Sequence, residues 1–361
     1  MMTRRIKLIA SAVADPKTIR FEAAGKITLA PGPVREGGRG ANRGFKRIGL
    51  AALSVVAAAP SFAAGVSADP GLRDDPGMAR HAAGPVRVLE DIVLPSGDLA
   101  DLYLPRVPRG RARLFEDAFP LVALLQGAQV DKSQYGRVAS EVAGHGFVVV
   151  VPNHPNPLFR GGLFTEVEVV TEVFDAAVAA DEDPGSPLYQ VVDTASMGLI
   201  GHSFGGAVGL YAIAHCSPRP FRRCDPDEPT YTPPEALRAG AFYGTHLVSG
   251  DEVTDLDTSG AAVALIQGTR DGVATPLEAQ ATYPVLESPR ALVEIDGATH
   301  YGLCDEEDPA GATEDPNEPT IDQDVATREI ARWMALWFGN HLHHRRDAEP
   351  TIARQSSASG T

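Results

Sequence analysis

Between the apolar run Met197–Ile200 and a helix-forming segment beginning at Phe204 stands Gly201-His202-Ser203-Phe204-Gly205-Gly206. A strand that turns at once into a helix leaves no room for side chains beside its apex. Gly-x-Ser-x-Gly in this setting therefore demands a strand-turn-helix unit packed on a sheet. The turn thrusts the Ser203 hydroxyl into solvent and sets the unpaired N–H groups of a helix N-terminus beside it, where a developing anion is stabilised. The pentapeptide alone is weak evidence in a chain with 36 glycines. The strand before it and the helix after it make it specific.

The rest of the chain supplies the sheet. Val86–Leu94 and Asp98–Leu104 read as a hairpin around Pro95-Ser96-Gly97. Leu121–Leu125 and the β-branched run Phe147–Val151 read as buried strands, with helical spacing over Tyr135–Ala143 between them. Helical periodicity returns over Phe164–Ala180, where Val167, Val170, Phe174 and Val178 share a face. Strands follow at Met197–Gly201, Ala239–Tyr243, Val263–Gln267 and Ala291–Ile295, with helices at Phe204–Ala214, Leu277–Thr282 and Val325–Phe338. An antiparallel opening followed by repeated strand–helix units predicts an α/β fold, a mostly parallel central sheet with helices on both faces.

Three sequence blocks carry a resemblance. The first runs from Leu124-Leu125-Gln126-Gly127 to His145-Gly146-Phe147-Val148-Val149-Val150-Val151-Pro152, and the second is the serine turn itself. The third comprises Gly268-Thr269-Arg270-Asp271 and Gly297-Ala298-Thr299-His300. In content, order and spacing, Val86–Phe338 resembles the α/β-hydrolase superfamily, and within it the chlorophyllase, platelet-activating-factor acetylhydrolase and cutinase-like branch. The resemblance implies a serine ester hydrolase needing no metal or organic cofactor, acting on chlorophyll-, lipid- or polyester-type substrates. Residues 305–324 fall outside it.

A serine hydroxyl needs a base to take its proton and a carboxylate to orient that base. In this fold they follow in the order Ser, acid, His. Asp271 and His300 stand just after the strands Val263–Gln267 and Ala291–Ile295, at strand ends where an open α/β sheet builds its site. Asp251, Asp255 and Asp257, after the preceding strand, are the alternatives to Asp271; His202 reads as structural. The oxyanion donors would be the backbone N–H of Phe204 and, by resemblance to cutinase-like enzymes, that of Ala128. Gln126-Gly127-Ala128-Gln129 replaces the usual His-Gly pair, so Gln129 stays a competing candidate.

Only 20 positions separate Tyr243 from Val263, too few for a helical cap, so an open cleft without a cap domain is expected. Its candidate substrate-facing residues are Gln129, His154, Leu158, Phe159, Phe164 and Tyr301, beside Phe204. Amidase, lyase or perhydrolase chemistry on the same fold, or a binding protein that lost its chemistry, are the rival readings.

The ends differ from the body. Residues 1–63 carry a net charge of +8 and the remainder −23. So acidic a body repels phosphate backbones, and nucleic acid is not an expected partner. Lys46-Arg47, the apolar run Ile48–Ala59 and Pro60-Ser61-Phe62-Ala63-Ala64 have the layout of an export signal over residues 46–63. The irregular stretch before it suggests a later start, for instance at Val34. A linker over residues 64–84, a catalytic domain over 85–340 and a polar tail over 341–361 complete the expected organisation. No run reaches the roughly 20 apolar residues of a membrane span, and a secreted or periplasmic monomer is expected. Cys216 and Cys224, flanking a short Pro/Arg loop, are the expected disulfide pair, with Cys304 left over. No metal ligand set is recognised. Residues 305–324 hold nine acidic side chains and read as a solvated loop rather than a calcium site.

Overall fold

A computed structural model describes residues 7–11, 84–106, 118–217, 224, 229–250 and 252–343. The export segment, nearly all of the linker and the tail beyond residue 343 lie outside them. Nine strands form one sheet: β1 (Lys7–Ser11), β2 (Gly84–Val93), β3 (Leu99–Arg106), β4 (Phe119–Leu125), β5 (Val148–Pro152), β6 (Val192–His202), β7 (Leu237–Tyr243), β8 (Ala262–Gly268) and β9 (Arg290–Ile295). Their spatial order is β1-β9-β8-β7-β6-β4-β5-β3-β2. All pairs from β9 to β5 are parallel; β2, β3 and the edge strand β1 pair antiparallel. The strand at Lys7–Ser11, inside the N-terminal extension, was not expected.

Among the described residues, five helices cover the sheet: α1 (Gly136–Gly144), α2 (Glu168–Glu182), α3 (Phe204–Ile213), α4 (Pro276–Thr282) and α5 (Gln323–His341). The two-residue period of a strand separates two cores. From β4, Leu121, Ala123 and Leu125 pack with Val170 and Val173 of α2, Val208 and Leu210 of α3 and Ala279 of α4. Val122 and Leu124 point the other way, to Val138 and Val142 of α1 and Ile330, Met334 and Phe338 of α5. Both faces of the central strands are therefore dry, which is why β4, β5 and β8 read as unbroken apolar runs.

Three boundaries shift from expectation. Strand β6 begins at Val192 rather than Met197. Helix α2 begins at Glu168 rather than Phe164, because the Phe164 N–H is held by the carbonyl of His154 at 3.1 Å. Helix α5 runs on to His341, and Leu342 beyond it is buried in the core. The Cys216–Cys224 disulfide is formed, with Cα atoms 5.6 Å apart, and Cys304 is a buried thiol. Among the described residues, no helix is long and apolar enough to cross a membrane.

Candidate active site

The ladders bring the ends of the parallel strands level: Leu125 pairs with Gly201, His202 with Tyr243, Tyr243 with Ile266 and Gly268 with Ile295. Ser203 follows β6, Asp271 follows β8 and His300 follows β9, so all three emerge at one edge.

Ser203 sits at φ 53°, ψ −120°, a left-handed conformation strained for any side chain with a Cβ. Its surroundings hold it there. Its N–H donates to the Tyr243 carbonyl at 2.9 Å, and its carbonyl accepts from the N–H groups of Gly206 and Ala207 at 2.9 and 3.2 Å. The turn also needs bare backbone nearby. A Cβ on Gly205 would stand 2.3 Å from the Leu125 carbonyl and 2.4 Å from that of Gln126. The glycine thus lets α3 abut the loop after β4.

Asp271 is the carboxylate that meets the imidazole. Its Oδ2 accepts from His300 Nδ1 at 2.9 Å and from Gln267 Nε2 at 3.0 Å; its Oδ1 accepts from the N–H groups of Val273 and Ala274 at 3.0 and 2.8 Å. Both Asp271 and His300 are buried. A carboxylate with this many donors stays oriented, and as the acceptor it fixes a His300 proton on Nδ1. His300 Nε2 is then left with its lone pair. Of the alternative carboxylates, Asp255 and Asp257 are exposed, and Asp251 lies outside the described residues.

The serine and the pair converge on consecutive residues at the end of β7, Tyr243 and Gly244. Ser203 is tied to the Tyr243 carbonyl, and the Cβ position of Gly244 lies 3.0 Å from both Asp271 Oδ2 and His300 Nδ1. Among the described residues no hydrogen bond joins Ser203 Oγ to His300 Nε2. Such contacts are often long in ligand-free sites and tighten when substrate arrives.

His202 is buried and makes two bonds. A carbonyl can only accept, so its contact with the His300 carbonyl at 3.0 Å puts the proton on Nε2. Nδ1 then accepts from the Tyr135 hydroxyl at 3.0 Å, and that oxygen accepts from the Gly127 N–H at 2.8 Å. Burial, then the neighbouring His300, hold the His202 pKa well below its ordinary value, so the ring is neutral. Burial likewise pushes the Tyr135 hydroxyl up, keeping its proton. One chain of bonds links the loop after β4, the serine turn and His300.

Sequence reasoning missed Asp315. It lies in the acidic stretch read as solvated, yet it is buried, and its carboxylate accepts from the N–H groups of His300 at 2.8 Å, Gly272 at 3.1 Å and Asn317 at 2.8 Å. Tyr135 and Gln267 were missed as well. Linear spacing does not mark Asp315 or Tyr135, whose partners His300 and His202 lie 15 and 67 positions away, whereas Gln267 stands only four positions before Asp271 as a polar side chain ending an apolar strand.

The remaining candidates separate. Gln129 commits its N–H to the Leu163 carbonyl at 2.7 Å. Among the described residues, the N–H groups of Ala128 and Phe204 make no hydrogen bond within the protein. Leu158 and Phe159 are exposed, while Phe164 and Phe204 are half-buried. His154 is held by Asp98 Oδ2 at 2.7 Å on Nδ1 and approaches Glu166 at 3.6 Å on Nε2. Tyr301 does not reach the rim. It is buried edge-on against the rings of His202 and His300, and its hydroxyl donates to the Thr313 carbonyl. Among the described residues, no cluster of three or more His, Cys, Asp or Glu is placed to hold a metal ion.

No protein-family model matches the chain, and no curated protein matches it.

Proposed function

We propose that the chain is an exported serine hydrolase of the α/β-hydrolase type that cleaves carboxylic esters through an acyl-enzyme. The observation that carries the reading is the buried Asp271–His300 hydrogen bond at the same sheet edge as a serine held in a strained strand-to-helix turn. Chain order Ser, acid, His is that of the α/β-hydrolase nucleophile elbow.

In this mechanism Ser203 Oγ attacks the ester carbonyl and its proton passes to His300 Nε2. Asp271 balances the charge of the imidazolium. The uncommitted N–H groups of Phe204 and Ala128 would receive the oxyanion, a term that costs 10²–10³ in rate when one donor is removed in well-studied hydrolases. His300 returns the proton to the leaving alcohol. Water, deprotonated by the same imidazole, then releases the acid.

An open cleft suits bulky or hydrophobic esters. Among its described residues, the connection from Tyr243 to Ala262 holds only a two-residue ladder, Val248–Ser249 against Glu252–Val253. The disulfide is compatible with an oxidising compartment.

The test is Ser203→Ala in pure protein. Turnover of p-nitrophenyl butyrate should fall at least about 10³-fold, because triad members act as a unit. The melting midpoint should barely move, and a fluorophosphonate that labels the parent at Ser203 should leave the variant unlabelled. Retained activity would move the nucleophile elsewhere.

A further inference from the structure

We infer that the hairpin after β5 carries a phenyl platform beside Ser203 that selects esters bearing a flat apolar ring. The inference rests on the esterase reading and adds the substrate class. Its basis is a run of three rings: Phe159 stacks on Phe164 at 4.2 Å and 22°, and Phe164 meets Phe204 edge-on at 5.5 Å and 87°. Phe159 also faces Phe204 edge-on at 6.4 Å. Phe204 is the residue after the nucleophile, so the row of rings starts at the reacting centre.

Core packing does not account for these rings. Phe204 packs against the core on one face of the sheet, but Phe159, Phe164 and Leu158 join neither core. Phe159 is 46% exposed and its neighbour Leu158 81%. One exposed apolar side chain needs no explanation; a contiguous set next to a reactive serine marks a binding surface.

The platform is built, not draped. Pro155–Asn156 pairs with Gly162–Leu163, and the turn between them uses two left-handed residues, Arg160 at φ 59° and Gly161 at φ 79°. Buried Asn156 accepts from the Leu158 N–H at 2.9 Å and donates to Glu166 at 3.2 Å. Gln129, itself left-handed at φ 61°, clamps the returning arm. Its N–H donates to the Leu163 carbonyl and its Oε1 accepts from the Leu163 N–H, both at 2.7 Å. A Cβ on Gly162 would stand 2.9 Å from that amide, so glycine lets the clamp lie flat. Rings fixed in advance lose little freedom when a ligand arrives.

A flat ring, rather than bulk alone, is what such a surface distinguishes. Offset stacking and edge-to-face contact reward planar partners beyond the area buried. That preference corresponds to about threefold to tenfold for one good contact. An alkyl chain of equal size would gain burial only.

The experiment uses ester pairs matched in size, followed by pH-stat. Methyl phenylacetate against methyl cyclohexylacetate puts the ring on the acyl side. Benzyl acetate against cyclohexylmethyl acetate puts it on the alcohol side, and ethyl butyrate is the ringless reference. The flat-ring ester of at least one pair should be favoured at least about threefold in kcat/KM, chiefly through KM. Phe159→Leu and Phe164→Leu, each checked by melting midpoint, should bring that ratio close to one. Equal rates within both pairs, or a preference untouched by either substitution, would overturn the platform while ethyl butyrate turnover left the esterase reading intact. No turnover of ethyl butyrate or of any ring ester would overturn both.

Discussion

The carboxylate of Asp315 accepts the backbone N–H of His300 at 2.8 Å and, in the same grip, the N–H of Gly272, the residue after Asp271. One buried side chain thus ties together the two turns that carry His300 and Asp271.

Asp315→Asn should therefore impair chemistry more than binding. The amide keeps one acceptor but turns an N–H₂ toward backbone donors, and charge-assisted bonds of this kind contribute about 1.5–3 kcal/mol. Urea unfolding should register a loss of about 2 kcal/mol. The kcat for p-nitrophenyl butyrate should drop about tenfold or more with KM little changed, since small displacements of catalytic groups are costly in rate. An unchanged kcat in a destabilised variant would reduce Asp315 to a purely structural anchor.

Tyr135→Phe removes one oxygen and strands two buried partners, the Gly127 N–H and His202 Nδ1. Each stranded group costs about 1–3 kcal/mol. Because Gly127 precedes the donor assigned to Ala128, kcat should fall about tenfold beyond any folding defect. The check is to compare kcat at temperatures well below both melting midpoints; equal values there would disconnect Tyr135 from the oxyanion loop.

Acid should weaken the fold through His202. Burial first and His300 second hold its folded pKa well below the ordinary value, whereas the unfolded chain takes up a proton near pH 6.5. Below that pH the unfolded state binds more protons, so stability present at neutrality is lost as pH falls, by about 1.4 kcal/mol per pH unit. Burial lowers His145 and His341 too, with the same sign. Urea titrations between pH 7.5 and 5.5 should show the decline, and His202→Gln should flatten it. Parallel slopes for the two proteins would assign the decline to other groups.

What could be read from the chain alone follows the range of the forces involved. Parallel strands buried on both faces announce themselves as apolar runs, and β4 to β9 fall within a few residues of expectation. The serine turn is legible because its glycines answer a local steric demand. Asp271 and His300 are legible through order and strand-end placement. Tyr135 and Asp315 are not, because each acts through a partner brought near only by the fold; Tyr135 and His202 are 67 positions apart. Gln267 stands four positions before its partner Asp271, and its only mark is a polar side chain in an apolar strand. The acidic stretch misled for a related reason. Charge density there suggests water, but Asp315 faces inward toward N–H donors that only tertiary structure supplies. Tyr301 failed in the opposite direction, an aromatic beside the base whose hydroxyl is drawn inward to the Thr313 carbonyl.

The bonds running from Gly127 through Tyr135 and His202 to His300 make the loop after β4 and the turn after β9 a single geared part. A shift of one drags the other. The hairpin Pro155–Leu163 is coupled differently, through its base, Gln129 and the edge-on contact of Phe159 with Phe204. It is the part of the molecule where phenyl rings can be exchanged for other surfaces without disturbing that chain of bonds.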